Sequence, residues 1–252
     1  MHADVIKGLM LPFAGTSLGA AGVLVLKSGL SRRIGGLLSD TAAGIMAAAA
    51  VFSLLLPAME QAANRGMAPW LPACAGFLLG AGLLALWDRF SARREQAGRV
   101  SHSTRMLVLS VSLHNIPEGM AVGAVYAGLL AGDGTVTAMS AFALALGIAL
   151  QNLPEGAIIS LPLHAAGIGR GKAFLYGVLS GVSEPIAGVL TILLARFAVP
   201  ALPWLLCFAA GAMAYVTGFE LLPETMKERP LSGTLCVLGG FALMTGMDVL
   251  LG

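Results

Sequence analysis

The sequence predicts an all-α integral membrane protein with eight transmembrane helices, and three observations lead to this fold class. Of the 252 residues, 57% are hydrophobic and 11% are charged, whereas a typical soluble domain is roughly 45–50% apolar and about 25% charged. The 33 glycines and 12 prolines lie within apolar runs, where transmembrane helices tolerate them. Eight apolar stretches also approach the length of about 20 residues that a helix needs to cross the hydrocarbon core.

Polar breaks between the apolar stretches define the eight predicted helices. The N-terminus has almost no basic residues and lacks a convincing cleavage site, so the first helix is expected to be retained rather than removed as a signal peptide. All the helices are expected to form a single transmembrane domain over residues 1–252. The predicted segments cover approximately residues 8–26, 37–57, 69–88, 105–130, 137–163, 173–195, 202–223 and 232–251.

The distribution of Lys and Arg predicts the orientation of the helices. Cytoplasmic loops carry an excess of these residues, and 12 of the 15 basic residues fall in alternate connections. Both termini are therefore expected outside the cytoplasm, and the Arg-rich connection over about residues 89–104 is expected to be a mobile cytoplasmic loop. The basic residues on the predicted cytoplasmic side are Lys27, Arg32, Arg33, Arg89, Arg93, Arg94, Arg99, Arg105, Arg170, Lys172, Lys227 and Arg229. Because they are scattered, and the net charge is only +2, no nucleic-acid partner is expected.

Internal repeats relate the predicted helices in pairs. Residues 42–55 resemble residues 209–222 at a constant offset of 167 residues, which pairs the second helix with the seventh. Weaker matches pair the third helix with the eighth and the fourth with the fifth. The members of each pair cross the membrane in opposite directions in the predicted orientation. The sequence therefore predicts inverted repeats, an arrangement typical of secondary transporters with a binding site near the bilayer midplane.

The fourth predicted helix carries three potential metal ligands on one face. His114 and Glu118 are four residues apart, and Asn115 and Glu118 are three apart, so the three side chains are neighbours on a helix. Pro117 lacks the amide hydrogen that would bond to the carbonyl of Leu113, which predicts a kink beside these residues.

The fifth helix repeats this pattern with Gln151, Asn152 and Glu155, and Pro154 occupies the position that corresponds to Pro117. Glu184 adds a third carboxylate on the sixth helix. Each charged group at the bilayer centre costs at least about 2.5–3.5 kcal/mol, so the three glutamates need a compensating cation.

The donors favour a divalent metal ion. Imidazole, carboxylate and amide groups suit zinc, iron, manganese, cobalt or cadmium rather than copper(I), which prefers thiolates. Two carboxylates able to bridge would also accommodate two adjacent ions. Cys74, Cys207 and Cys236 have no C-x-x-C spacing and are interpreted as buried thiols.

These motifs resemble the ZIP family of zinc and iron transporters. The resemblance rests on His-Asn-x-Pro-Glu-Gly at 114–119, Gln-Asn-x-Pro-Glu-Gly at 151–156 and Glu-Pro at 184–185, and it extends over essentially the whole chain. The initial Gln of the second motif is similar to the GufA-like branch of the family.

The family resemblance implies eight helices in a three-plus-two-plus-three inverted repeat, with import of divalent metal, most of all zinc and also cadmium, iron or manganese, across the plasma (inner) membrane. It implies a binuclear site, elevator-type movement of a transport bundle, no prosthetic cofactor and no enzymatic activity. A homodimer in the lipid bilayer is a possible assembly. The implied ligands are Met46, His114, Glu118, Gln151 and Glu155 for one ion, and Asn115, Glu118, Asn152, Glu155 and Glu184 for the other.

The resemblance also places Ser53 and Glu60 on an outer access path and Glu220 and Glu224 near the inner exit. Two features differ from many relatives. Asn152 occupies a position where some relatives have Asp, which lowers the negative charge of the second site. The connection over 89–104 lacks a His-rich run, having only His102.

Three other functions are alternatives to metal transport, and each makes a different prediction. A proton- or sodium-coupled carrier of another substrate would use the same glutamates without binding metal. An intramembrane metalloprotease would need His-Glu-x-x-His on a helix, and the sequence has none. A structural or receptor protein would show no flux that depends on its ligand.

Overall fold

Helices account for the secondary structure of the chain in the computed structural model, which describes residues 2–25, 32–95, 100–132, 134, 136–165, 167–194, 197 and 199–251. No strand occurs among these residues. The helices are α1 (His2–Val25), α2 (Arg32–Ala48), α3 (Leu56–Asn64), α4 (Trp70–Glu95), α5 (Val100–Ala131), α6 (Ala138–Ala165), α7 (Arg170–Gly181), α8 (Ser183–Leu193), α9 (Leu202–Val216), α10 (Leu222–Glu228) and α11 (Pro230–Leu251). Two π-helical segments, Ala49–Leu55 and Thr217–Leu221, join α2 to α3 and α9 to α10.

Membrane-length helices confirm the predicted class. Within the described residues, seven segments are long and apolar enough to cross a membrane, namely Asp4–Val25, Gly36–Asn64, Trp70–Trp87, Ala138–Leu161, Arg170–Leu193, Leu202–Glu228 and Pro230–Leu250. Helix α5 adds 32 residues, or about 48 Å at a rise of about 1.5 Å per residue. The chain is therefore a multi-pass membrane protein with seven or eight membrane-length helices.

Several boundaries differ from the prediction. The second span continues to Asn64 rather than ending near residue 57, and the sixth is divided at Val182 into α7 and α8. The connection predicted as a loop over 89–104 is shorter, because α4 continues to Glu95 and α5 begins at Val100. Polar and charged residues can extend a transmembrane helix into the aqueous phase, which an apolar window does not detect.

The two π-helical segments occupy equivalent places in the repeated sequence. Ala49–Leu55 precedes Pro57, and Thr217–Leu221 precedes Pro223. A proline within a helix lacks an amide hydrogen and clashes with the carbonyl four residues back, and a π-turn widens the helix at that point. The repeat offset of 167 residues places Ala49–Leu55 over residues 216–222, which include Thr217–Leu221, and the two prolines are 166 residues apart.

The spans pack as two bundles. In the first, called here the site bundle, α1 packs most extensively against α6, and α5 against α8, with α7 against α1 and α6. In the second bundle, α2 packs against α11, and α4 against α9. The bundles meet mainly where α9 contacts α5 and where α2 and α11 contact α6.

Glycines bring the backbones close together inside each bundle. A Cβ atom at Gly119 of α5 would lie 2.2 Å from the carbonyl oxygen of Glu184, and one at Gly44 of α2 would lie 1.9 Å from that of Val237. The described glycines whose Cβ would fall within 2.5 Å of a backbone oxygen on another helix all face their own bundle; they are Gly15, Gly19, Gly44, Gly80, Gly119, Gly123, Gly156, Gly211 and Gly240. Small residues of this kind let membrane helices pack tightly, so each bundle is internally close-packed.

An ion pair between the buried carboxylate of Asp40 and the partly buried guanidinium of Arg229 joins helices of the second bundle near the predicted cytoplasmic side. The Asp40 side chain, 2% exposed, accepts from Arg229 Nε at 2.8 Å and from Thr225 Oγ1 at 2.5 Å. The hydrogen bond to Asp40 raises the pKa of the Arg229 guanidinium above its ordinary value. The ion pair connects α2 to the region between α10 and α11.

Candidate metal site

Helices α5, α6 and α8 place polar side chains in the interior of the site bundle. Asn115, Gln151 and Asn152 are fully buried, and Glu118 and Glu184 are 2% and 1% exposed. Glu155 is partly buried. The predicted spacing of three and four residues therefore puts these groups on inward faces of α5 and α6, and the contact of Gly119 with the backbone of Glu184 brings α8 against them.

Hydrogen bonds connect the three helices at this point. Gln151 Nε2 donates to Glu118 Oε1 at 2.5 Å, which links α6 to α5. Asn115 Nδ2 donates to Glu184 Oε1 at 2.9 Å, which links α5 to α8. The carboxylate of Glu155 interacts electrostatically with those of both Glu118 and Glu184. Three carboxylates therefore act on one another inside the bundle.

Several acceptor oxygens in this cluster have no hydrogen-bond partner in the described part of the chain. A buried acceptor left without a partner costs about 1–3 kcal/mol, and a native structure rarely accumulates several in one place. These atoms are Asn115 Oδ1, Glu118 Oε2, Gln151 Oε1, Asn152 Oδ1 and Glu184 Oε2. Carboxylate and amide oxygens of this kind suit divalent cations such as zinc, manganese and iron.

The cluster combines carboxylates with amides rather than forming a cage of acidic or histidine ligands alone. Among the described side chains, no three His, Cys, Asp or Glu residues converge as a metal-binding group. Amide oxygens from Asn115, Gln151 and Asn152 would complete the coordination. His114 lies on α5 beside Asn115, but its side chain is outside the described part of the structure.

Met46 is buried on α2, in the second bundle. It is 2% exposed and belongs to the apolar cluster that includes Ile148 and Met213. Its helix, α2, packs against α6. Of the predicted ligands, Met46 is thus the one contributed by the second bundle.

The residues predicted along the access paths have separate surroundings. Ser53 Oγ donates to Asp248 Oδ1 at 2.7 Å, and Glu60 is exposed. Glu224 is exposed and lies 3.8 Å from Arg229. The side chain of Glu220 is outside the described part of the structure.

The sequence interpretation missed Thr16, which contacts the cluster from α1. Its Oγ1 lies 2.9 Å from Glu184 Oε1, and the residue is fully buried. The signal that could have indicated it is a pair of polar residues, Thr16 and Ser17, in the otherwise apolar stretch over residues 8–25.

Comparison with known proteins gives a consistent set of matches. Residues 90–248 match the family described as "ZIP Zinc transporter". The chain is 34% identical to zinc transporter ZIP11 of Xenopus tropicalis, over 98% of this chain and 97% of that protein. It is 35% identical to zinc transporter GufA of Myxococcus xanthus over the full length of both. Zinc transporter ZIPB of Bordetella bronchiseptica is 34% identical over 95% of this chain and 79% of that protein.

Proposed function

The chain belongs to the ZIP zinc transporter family, and on this premise we propose that it imports divalent metal ions, most of all zinc, into the cytoplasm. Members of this family are transporters and not enzymes. The observation that carries the proposal is the group of five buried acceptor oxygens without partners on α5, α6 and α8. A divalent cation would satisfy these oxygens and balance the mutual repulsion of Glu118, Glu155 and Glu184.

We propose that the transport site binds two adjacent ions, because the ligand set implied by the family resemblance contains two carboxylates that could bridge them. Glu118 and Glu155 would bridge them, with Met46, His114 and Gln151 on one side and Asn115, Asn152 and Glu184 on the other. Because Asn152 is neutral, the second position carries less negative charge. We expect it to bind zinc more weakly than the first, and cadmium, iron and manganese are further substrates of the same donor set.

The proposed movement is a displacement of the site bundle against the second bundle. Glycine contacts between backbones join helices within each bundle, whereas at the boundary Gly147 of α6 meets the flexible end of the Met244 side chain. A close-packed bundle moves as a unit, and a boundary of side chains can repack. This contrast supports elevator-type alternating access, with the polar cluster carried across the membrane by the site bundle.

The inverted repeat is part of the same proposal. In the repeat, α2 in the second span corresponds to α9 in the seventh, and α4 in the third corresponds to α11 in the eighth. The contact between α2 and α11 is then equivalent to the contact between α9 and α4. Likewise, the pairing of α1 with α6 is equivalent to that of α8 with α5. Gly44 and Gly211, which are 167 residues apart, each contact a backbone carbonyl of the partner helix. These relations support the three-plus-two-plus-three arrangement. The excess of basic residues in alternate connections supports the placement of both termini outside the cytoplasm.

The proposed location is the plasma (inner) membrane, with the bilayer covering the outward faces of the helices. Among the seven membrane-length segments of the described residues, those of α4 and α11 are the least covered by the rest of the protein, with 22% and 17% of their residues buried. These faces would contact lipid or a second copy of the chain in a homodimer.

Zinc uptake into proteoliposomes tests the proposed function. Glu118→Gln keeps the size of the side chain and removes a charge from the site, so we expect uptake to fall at least about tenfold, while Glu228→Gln on the exposed end of α10 serves as the matched control. A sodium- or proton-coupled carrier of another substrate would show neither zinc binding by calorimetry nor zinc flux in the wild-type protein, and that result would overturn the proposal.

A further inference from the structure

Resting on the proposed function, we propose that Thr16 is a positioning residue for ion binding, which orients the Glu184 carboxylate through a hydrogen bond from α1. Thr16 is not one of the ligands predicted from the motifs. Its contact with Glu184 joins α1 to a cluster that otherwise comes from α5, α6 and α8.

The hydrogen-bonding capacity of the Thr16 hydroxyl defines its role. A hydroxyl has one hydrogen to donate, and two acceptors are near Oγ1. Glu184 Oε1 is at 2.9 Å, while the carbonyl oxygen of Pro12, on the same helix, is at 3.5 Å. The shorter distance assigns the hydrogen to the carboxylate.

Glu184 Oε1 receives a second hydrogen bond, from Asn115 Nδ2 at 2.9 Å. Because both donors bind the same oxygen, Glu184 Oε2 is left without a partner, and so is Asn115 Oδ1. Thr16 and Asn115 thereby fix the plane of the carboxylate, with one oxygen engaged by the protein and the other available to a cation. Groups that orient a ligand in this way commonly change metal affinity by about 10–100-fold when removed.

Two glycines provide the space that Thr16 occupies. A Cβ atom at Gly156 of α6 would lie 2.0 Å from the carbonyl oxygen of Thr16, and one at Gly181 of α7 would lie 2.9 Å from its Cβ. Thr16 is fully buried between these helices. The close packing holds the hydroxyl at a fixed distance from Glu184, as a positioning role requires.

Because the contact between Thr16 and Glu184 lies within one bundle, its loss should affect ion binding and leave the movement between the bundles unchanged. Thr16, Asn115 and Glu184 all belong to the site bundle, so the hydrogen bonds among them are unchanged when that bundle moves against the second one. Loss of the hydroxyl should therefore weaken binding and raise the KM for zinc, with little change in the maximal rate. A purely structural defect would instead lower the amount of active transporter and reduce the maximal rate at constant KM.

The test measures zinc uptake by the full-length protein in proteoliposomes, with the reconstituted amount determined for each variant. Thr16→Val removes the hydroxyl at nearly constant volume and should raise the KM about 10–100-fold, whereas Thr16→Ser should restore a KM near that of the wild type. Thr191→Val is the matched control, because Thr191 is a buried threonine of the same bundle whose hydroxyl donates to Ala187 of its own helix at 2.8 Å.

Thr16→Ala gives a second variant if valine prevents assembly. An unchanged KM in Thr16→Val or Thr16→Ala, or a reduced maximal rate at constant KM, would overturn the positioning role while leaving the transport function intact. Failure of both variants to assemble, with Thr191→Val assembling normally, would also overturn it in favour of a role in folding. Absence of zinc uptake by the wild-type protein is a different result and contradicts the proposed function itself.

Discussion

The amide nitrogen of Gln151 donates to Oε1 of Glu118 across 2.5 Å, so a hydrogen bond between side chains joins the two Pro-Glu motifs. Both residues are buried. The bond fixes which oxygen of Glu118 faces the protein and which is available to a cation. It also gives the Gln of the second motif a role that a hydrophobic residue cannot fill.

Gln151→Leu should therefore impair both stability and zinc uptake. The change removes the donor and leaves Glu118 Oε1 buried without it, at a cost of about 1–3 kcal/mol. We expect a lower melting temperature in detergent and a higher KM for zinc in proteoliposomes. Gln61→Leu, at a buried glutamine of α3, is the control and should leave the KM unchanged. Equal KM values for the two variants would contradict the role of Gln151.

The polar cluster was largely predictable because the regular spacing of an α-helix decides which side chains share a face. His114, Asn115 and Glu118 repeat at three and four residues, and the structure accordingly buries Asn115 and Glu118 together. Thr16 was not predictable in the same way. Its contact with Glu184 spans 168 positions of sequence and depends on the packing of α1 against α6 and α8, which no local pattern encodes.

The helix boundaries show a similar limit. The apolar windows coincide with the seven membrane-length segments found in the described residues. The second window, however, stopped near residue 57, although the helix continues through α3 to Asn64. Pro57 suggests an end to the helix because proline interrupts the backbone hydrogen-bond pattern. The π-helical segment Ala49–Leu55 accommodates it instead, and this depends on the conformation of the preceding turns.

Gly119→Ala should separate α5 from α8. Its Cβ would lie 2.2 Å from the carbonyl oxygen of Glu184, so the backbones must move apart, and overpacking of this kind costs about 1–3 kcal/mol or more. We expect a lower melting temperature in detergent and reduced zinc uptake. Gly82→Ala, on the open face of α4, should have neither effect, since alanine favours a helix over glycine by about 1 kcal/mol. Equal melting temperatures would show that the glycine contact is unimportant.

Arg229→Met should destabilise the second bundle. The substitution leaves Asp40, which is 1% exposed, without its ion-pair partner, and breaking a buried pair in this way costs about 3–5 kcal/mol. Thermal unfolding in detergent measures the loss, with Lys227→Met on the exposed surface of α10 as the control. Adding Asp40→Asn to Arg229→Met should recover part of the stability, because the uncompensated charge is then removed. No recovery in the double variant would argue against an interaction between the two residues.

Labelling of single cysteines tests the predicted orientation. In a variant in which Cys74, Cys207 and Cys236 are replaced by alanine, Gly134→Cys lies between α5 and α6, and Lys172→Cys lies near the start of α7; both positions are exposed. The excess of basic residues puts the second position in the cytoplasm and the first outside.

A membrane-impermeant maleimide applied to intact cells should therefore label Gly134→Cys at once and Lys172→Cys only after the cells are permeabilised. The two positions control for each other, since both variants carry one accessible thiol in the same background. The reverse pattern would place the termini in the cytoplasm. It would also reverse the side of the membrane to which the proposed outer path at Ser53 and Glu60 opens, so uptake and labelling together decide whether that path admits or releases the ion.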